Sequence, residues 1–171
     1  MVIDYRYQQD RYVNESAQSV TRLRTIIEES NLVLVLSPAT ADRNVVVRPA
    51  QTISIPNGQT VHLYIGTPVW FVGTHTSSQR KLFGLSSGIL SDTWFGPATY
   101  TGEICYANES QARLPLDRLS LRRDRLVTPV TIENRGGDTL ALERLNLPVP
   151  FLTIFDTGPN LWPQEVRILR T

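Results

Sequence analysis

The amino-acid sequence predicts an all-β fold, an antiparallel β-sandwich of two packed sheets, and three observations carry that prediction. Apolar and polar residues alternate with a period of two along many short segments, the pattern of a half-buried strand. Pro, Gly, Asn and Asp interrupt these segments about every ten residues, the spacing of sandwiches and barrels. Turn chemistry sits where it is needed: Pro56-Asn57-Gly58 and Gly136-Gly137 each lie between two alternating runs and can supply positive φ. A closed β-barrel is the alternative architecture with the same grammar.

Taken in order, strands are expected over 2–7, 32–36, 44–48, 52–55, 60–65 and 69–73, then over 88–91, 100–107, 119–122, 128–133, 140–145, 152–155 and 165–169. Segment 15–30 is ambiguous: Val20, Leu23 and Ile27 fit a helical stripe, whereas Val20, Arg22, Arg24 and Ile26 alternate against Leu23, Thr25 and Ile27, and the strand reading is preferred. The run from Leu32 to Leu36 is continuously apolar, which predicts a central strand covered on both faces. Val61, Leu63 and Ile65 alternate with His62 and Tyr64 and predict a flanking strand with one wet face. Two hairpins are expected, one over 52–65 about the Asn-Gly turn and one over 127–145 about the Gly-Gly turn. Pro115, Pro129, Pro148 and Pro150 restrict their neighbours to edges, strand starts or loops. No repeat or linker divides the chain, so a single domain over 1–171 is expected, with a less regular N-terminal segment 1–30.

Size and charge bound the function classes. A chain of 171 residues is long enough to bury one sizeable core without a staple. Cys105 is its one cysteine and can form no internal bridge, and neither a membrane-length apolar segment nor a secretory leader pattern is evident, so a cytoplasmic location is expected. Seventeen basic against sixteen acidic residues leave a net charge of +1, too little for the broad field of a dedicated nucleic-acid binder. Within the basic set only Lys81 is lysine. The arginine preference suits planar, bidentate contacts at an interface, but a codon bias is the plainer reading.

The candidate sites are modest. Aromatic residues cluster at Tyr64, Trp70, Phe71, Phe83, Trp94, Phe95, Tyr100 and Tyr106; flat rings with polar handles can anchor a partner or stack on a sugar, and can equally be core. Trp94 and Phe95, adjacent on a strand, must point to opposite faces, and the following Gly96-Pro97 is expected to end that strand. Asp92 and Glu103 flank this segment and would serve as paired carboxylates of a carbohydrate-acting enzyme only if the chain set them roughly 5 to 9 Å apart. Arg113, Arg118, Arg122, Arg123 and Arg125 interleave with leucines and would present a basic stripe with the leucines inward; a simply solvated face is the plainer reading. His62 and His75 lack the close ligand spacing of a zinc site, Ser86-Ser87-Gly88 lacks the glycines of a nucleophile elbow, and Cys105 reads as a buried inert thiol. No phosphate-cradling glycine loop opens a helix. No metal and no cofactor is therefore expected.

Three stretches considered together, Ile65 to Phe71, Trp94 to Ala107, and Thr128 to Arg135 with Glu143 to Pro150, resemble a family of uncharacterised prokaryotic proteins, a domain of unknown function, from about Leu32 onward. That resemblance implies a mainly β domain and transfers no functional residue. The expected role is a non-catalytic module binding a protein or small ligand through Trp70, Trp94, Phe95 and the arginine stripe. A small carbohydrate-acting enzyme using Asp92 and Glu103 and a structural subunit of a homo-oligomer are the alternatives.

Overall fold

A computed structural model of the chain describes residues 2–8, 20–26, 33–76, 78–88, 90–108, 124–158 and 160–171. Regular structure there is almost entirely β, and none of the sheets closes into a barrel. An antiparallel pair, β1 (Val2–Gln8) and β2 (Val20–Ile26), runs in register from Val2 opposite Ile26 to Gln8 opposite Val20. The strand reading of the ambiguous segment thus holds over 20–26, and the rest of 15–30 lies outside the described residues.

The longest ladder joins β6 (Thr60–Pro68) to β11 (Arg125–Asn134), antiparallel from Thr60 opposite Glu133 to Pro68 opposite Arg125. Alternation sorts its side chains: Leu63, Ile65, Val130 and Ile132 turn inward and are buried, while His62, Tyr64, Thr131 and Glu133 share the outer face. On its other side β11 pairs in parallel with β15 (Leu161–Pro163) and β16 (Val166–Arg170), and β14 (Ile154–Asp156) closes that sheet against β15. A second sheet has the order β13 (Leu145–Leu147), β4 (Val45–Val47), β10 (Thr101–Asn108), β9 (Ser91–Ala98), with β4 and β10 parallel. Pairing is mostly antiparallel, with these three parallel exceptions. Val45, Val47, Leu145 and Leu147 from the second sheet meet Leu63, Ile65, Val130, Ile132 and Val166 from the first in one core, completed by Val149 of a short 3₁₀ turn (Val149–Phe151). Two sheets packed over a shared interior are a sandwich, and each buried aliphatic side chain contributes about 1.5–3 kcal/mol to holding them.

Neither expected hairpin forms. The Asn-Gly turn is present, with Gly58 at φ +75° and the Gln59 amide donating to the Pro56 carbonyl at 3.1 Å. Yet β5 (Ile53–Ile55) pairs with β12 (Leu140–Leu142), not with β6. The two chains 53–68 and 125–142 instead run antiparallel to each other through a common bend, crossing from the small β5/β12 pair into the β6/β11 ladder. At that bend the Gly58 amide donates to the Asn134 carbonyl at 2.7 Å and the Asn134 amide to the Gln59 carbonyl at 3.0 Å. Fully buried Asn134 pins the inside, its Nδ2 donating to the carbonyls of Ile55 and Asp138, both at 2.8 Å, while Oδ1 accepts from the Gly136 amide at 3.1 Å. Corners of this kind are how strands change sheets.

A third sheet has the order β3 (Leu34–Ala39), β7 (Trp70–His75), β8 (Lys81–Ser86). The expectation that 32–36 is central and doubly covered is corrected here, because β3 is an edge strand and Val33, Val35 and Leu36 are exposed. Apolar continuity predicts burial only where a layer covers each face, and Val35 and Leu36, on opposite faces, are both exposed; among the described residues β3 also has a neighbour on one side alone. Strands β8 and β15 had no counterpart in the sequence reading, and 88–91 is not a strand until β9 begins at Ser91. The expected strand at 119–122 lies outside the described residues.

Candidate binding surface

Strands β9 and β10 form a hairpin whose geometry decides what the aromatic segment presents. Ala98 pairs with Thr101 and Phe95 with Glu103, so Gly96 and Pro97 together oppose the single residue Gly102. This is a β-bulge, and it corrects the expectation that Gly96-Pro97 ends the strand. Glycine is required at both facing positions: a Cβ on Gly96 would stand 2.1 Å from the Thr101 carbonyl oxygen, and one on Gly102 2.5 Å from that of Phe95. Trp94 lies over this gap, near Gly102, and its indole N–H donates to the Ala98 carbonyl at 2.9 Å.

Cross-strand register assigns the faces. Trp94 stands opposite Ile104 and Asp92 opposite Tyr106, so these four residues share one face. Trp94 is 41% and Ile104 56% exposed, leaving an aromatic and an aliphatic side chain adjacent and open to solvent. Their rim is polar and internally paired. Arg43 donates to Asp92 at 3.0 Å and lies 5.0 Å over the Tyr106 ring, and the Tyr106 hydroxyl donates to Asp42 at 2.9 Å. Burial, and then that hydrogen bond to Asp42, push the Tyr106 phenol above its ordinary value, so it remains a neutral donor. Behind Tyr106, at 6.0 Å between ring centroids, is Trp70 of β7, half-buried against the core. Trp70 is thus a support under the surface and not part of it.

The other face of the same hairpin carries a separate polar group. The Glu103 carboxylate accepts from Asn44 at 2.9 Å and from Asn146 at 2.7 Å, tying β10 to β13 and to the residue preceding β4. Cys105 is fully buried beside them, its thiol pushed up by burial and then by the Glu103 charge, which leaves it protonated and inert. Half-buried Phe95 lies under the Arg144 guanidinium at 5.0 Å. Asp92 and Glu103 therefore stand on opposite faces of the hairpin, each engaged with its own partners, and do not form a shared carboxylate pair.

Of the arginine stripe, Arg125 opens β11 opposite Pro68 and is half-buried; Arg113, Arg118, Arg122 and Arg123 lie outside the described residues. The histidines belong to strands of different sheets. His75 is buried at the end of β7 with Nδ1 2.8 Å from the Ser78 hydroxyl. His62 belongs to a polar row on the outer face of the β6/β11/β16 sheet that the sequence reading missed. There the Thr131 hydroxyl donates to Glu165 at 2.7 Å, so the His62 Nδ1 atom, 2.9 Å away, must donate to Thr131, and Arg167 completes the row with a 2.9 Å contact to Glu165. Arg43, Ile104 and Arg144 were missed as well. Ile104 was legible only if the bulge is recognised, because without that shift in register Trp94 would stand opposite Cys105; Arg43 and Arg144 come from loops that no local pattern brings near. Among the described residues no group of three or more His, Cys, Asp or Glu could hold a metal ion, and no helix is long and apolar enough to cross a membrane.

Fold and surface define an all-β protein whose most exposed indole sits on a bulged hairpin. Its chain belongs to the protein family of unknown function DUF432, whose family model matches residues 1–171. No curated protein and no solved structure matches it.

Proposed function

We propose that the protein is a non-catalytic module that binds another protein through the Trp94 and Ile104 platform. The observation that carries this reading is the cross-strand pair itself: an indole and an aliphatic side chain side by side, exposed, and ringed by the Arg43, Asp92, Tyr106 and Asp42 interactions. Such an arrangement matches the anatomy of an energetic centre in a protein interface, an apolar anchor within a polar rim that excludes water. A sugar is the weaker fit, because sugar hydroxyls need donors and acceptors directly beside the ring, and those of this rim are partly committed to one another. Replacing Trp94 by Ala tests the reading on the partner recovered by the wild-type protein from cells that express it, then purified and titrated. The dissociation constant should rise by roughly 30-fold or more, as for an interface hot spot, while the thermal midpoint moves little. Unchanged affinity in a fully folded Trp94→Ala protein excludes the platform, as does a stability loss of about 3–5 kcal/mol, which marks a core side chain.

A further inference from the structure

A second surface follows from the backbone of β3. The Thr76 amide donates to the Val33 carbonyl at 3.1 Å, which makes that residue pair a hydrogen-bonded one in the antiparallel β3/β7 ladder. Hydrogen-bonded pairs alternate along such a ladder. Val35 and Ser37 therefore turn their N–H and C=O groups toward β7, and Leu34, Leu36 and Pro38 turn theirs outward, to a side where no described strand pairs. Pro38, which has no N–H to offer, falls on the outward side, where its ring breaks no ladder bond.

Beyond Pro38 near its end, this edge carries none of the devices by which sheets protect themselves, and no described residue covers it. Exposed edges are blunted by charge, proline or coverage; β8 carries Lys81, β9 carries Asp92 and Pro97, and β14 carries Asp156. The stretch 33–39 contains no ionisable side chain, and Val33, Val35 and Leu36 are 62%, 44% and 59% exposed. We propose that a second copy of this chain pairs with it here, β3 against β3 in antiparallel register about a two-fold axis at Val35, giving a continuous six-stranded sheet.

Chemistry selects both the partner and the register. An uncharged strand meets itself without like-charge repulsion, and an antiparallel pair is self-complementary, as a two-fold interface requires. With the axis at Val35, Leu34 of each copy faces Leu36 of the other, and each exchanges both backbone hydrogen bonds. Moving the axis to Leu36 sets Leu34 opposite Pro38 and leaves a carbonyl without its donor. In the favoured register Val35 meets its own copy as a non-hydrogen-bonded pair, with Cα atoms roughly 4.5 Å apart. A disulfide accepts that separation.

Sedimentation velocity of the full chain from about 1 μM to 1 mM should show a reversible monomer–dimer equilibrium, because one strand edge buries less than a stable obligate interface. Leu36→Lys, at an exposed position, should weaken the dimer tenfold or more with an unchanged melting temperature. In a Cys105→Ser background, Val35→Cys should form an intermolecular disulfide under mild oxidation much faster than Leu36→Cys. A monomer throughout that range overturns the proposal, and so does a dimer that Leu36→Lys leaves intact. If Leu36→Cys links as fast as Val35→Cys, the register is wrong.

Discussion

Asn134 and Glu165 show how single polar side chains set local geometry. Asn134 answers the Ile55 carbonyl and the Gly136 amide, which would otherwise be stranded inside the bend, and shares the exposed Asp138 carbonyl with Arg170. Replacing it by Ala should destabilise the protein by about 2 kcal/mol or more, since each stranded buried group costs about 1–3 kcal/mol. Urea denaturation measures this, and a loss below about 1 kcal/mol would mean that packing alone holds the bend. Glu165 is held below the ordinary carboxylate range by the Thr131 hydroxyl and then by Arg167. A depressed folded-state value means that the contribution is complete above the unfolded value and fades as pH falls through the folded one. The stability difference between wild type and Glu165→Gln should thus be present at neutral pH and shrink below about pH 4. Melting temperatures of both proteins across that window decide it; a difference that grows on acidification reverses the assignment.

At the scale of elements, β6 and β11 were plain in the sequence because one wet and one dry face imprint a period of two, and burial along β11 follows it from Thr128 to Asn134, after a continuously buried start at Leu126 and Val127. The two hairpins were misread for a physical reason. An Asn-Gly turn reports that the chain reverses, not which strand receives it, and at 56–59 the reversal became half of a corner shared with 135–139. The β9/β10 hairpin shows the converse, since Gly96-Pro97 looked like a stop and is a bulge. Gly96→Ala should open that hairpin and lower the melting temperature sharply, as the atoms in the way are backbone. Gly137→Ala, where an added Cβ meets nothing within 4 Å, should stay within about 0.5 kcal/mol of wild type. Equal effects at the two positions would refute the steric account.

Across the whole molecule, the all-β sandwich was legible and the site only partly so. Trp94 could be singled out from its neighbours in sequence, but Ile104 becomes its companion through cross-strand register, and Arg43 arrives from the loop before β4, contacts that only folding creates. The apolar run at β3 was read as interior, and in the single chain it is an edge. If two copies pair there, the central position read for that run is restored in the plane of the sheet, with the second molecule supplying the missing neighbour, while its faces stay as they are.

The shared bend at Asn134 has a mechanical implication. Since the same two segments supply rungs on either side of it, tension applied to one ladder passes directly along the backbone into the next. The Asn134 side chain adds a tie across the bend, from the Ile55 carbonyl of one pair to the end of the long ladder. Asn134→Ala should therefore loosen the small β5/β12 rungs before the long β6/β11 ladder, a difference that amide hydrogen exchange reads.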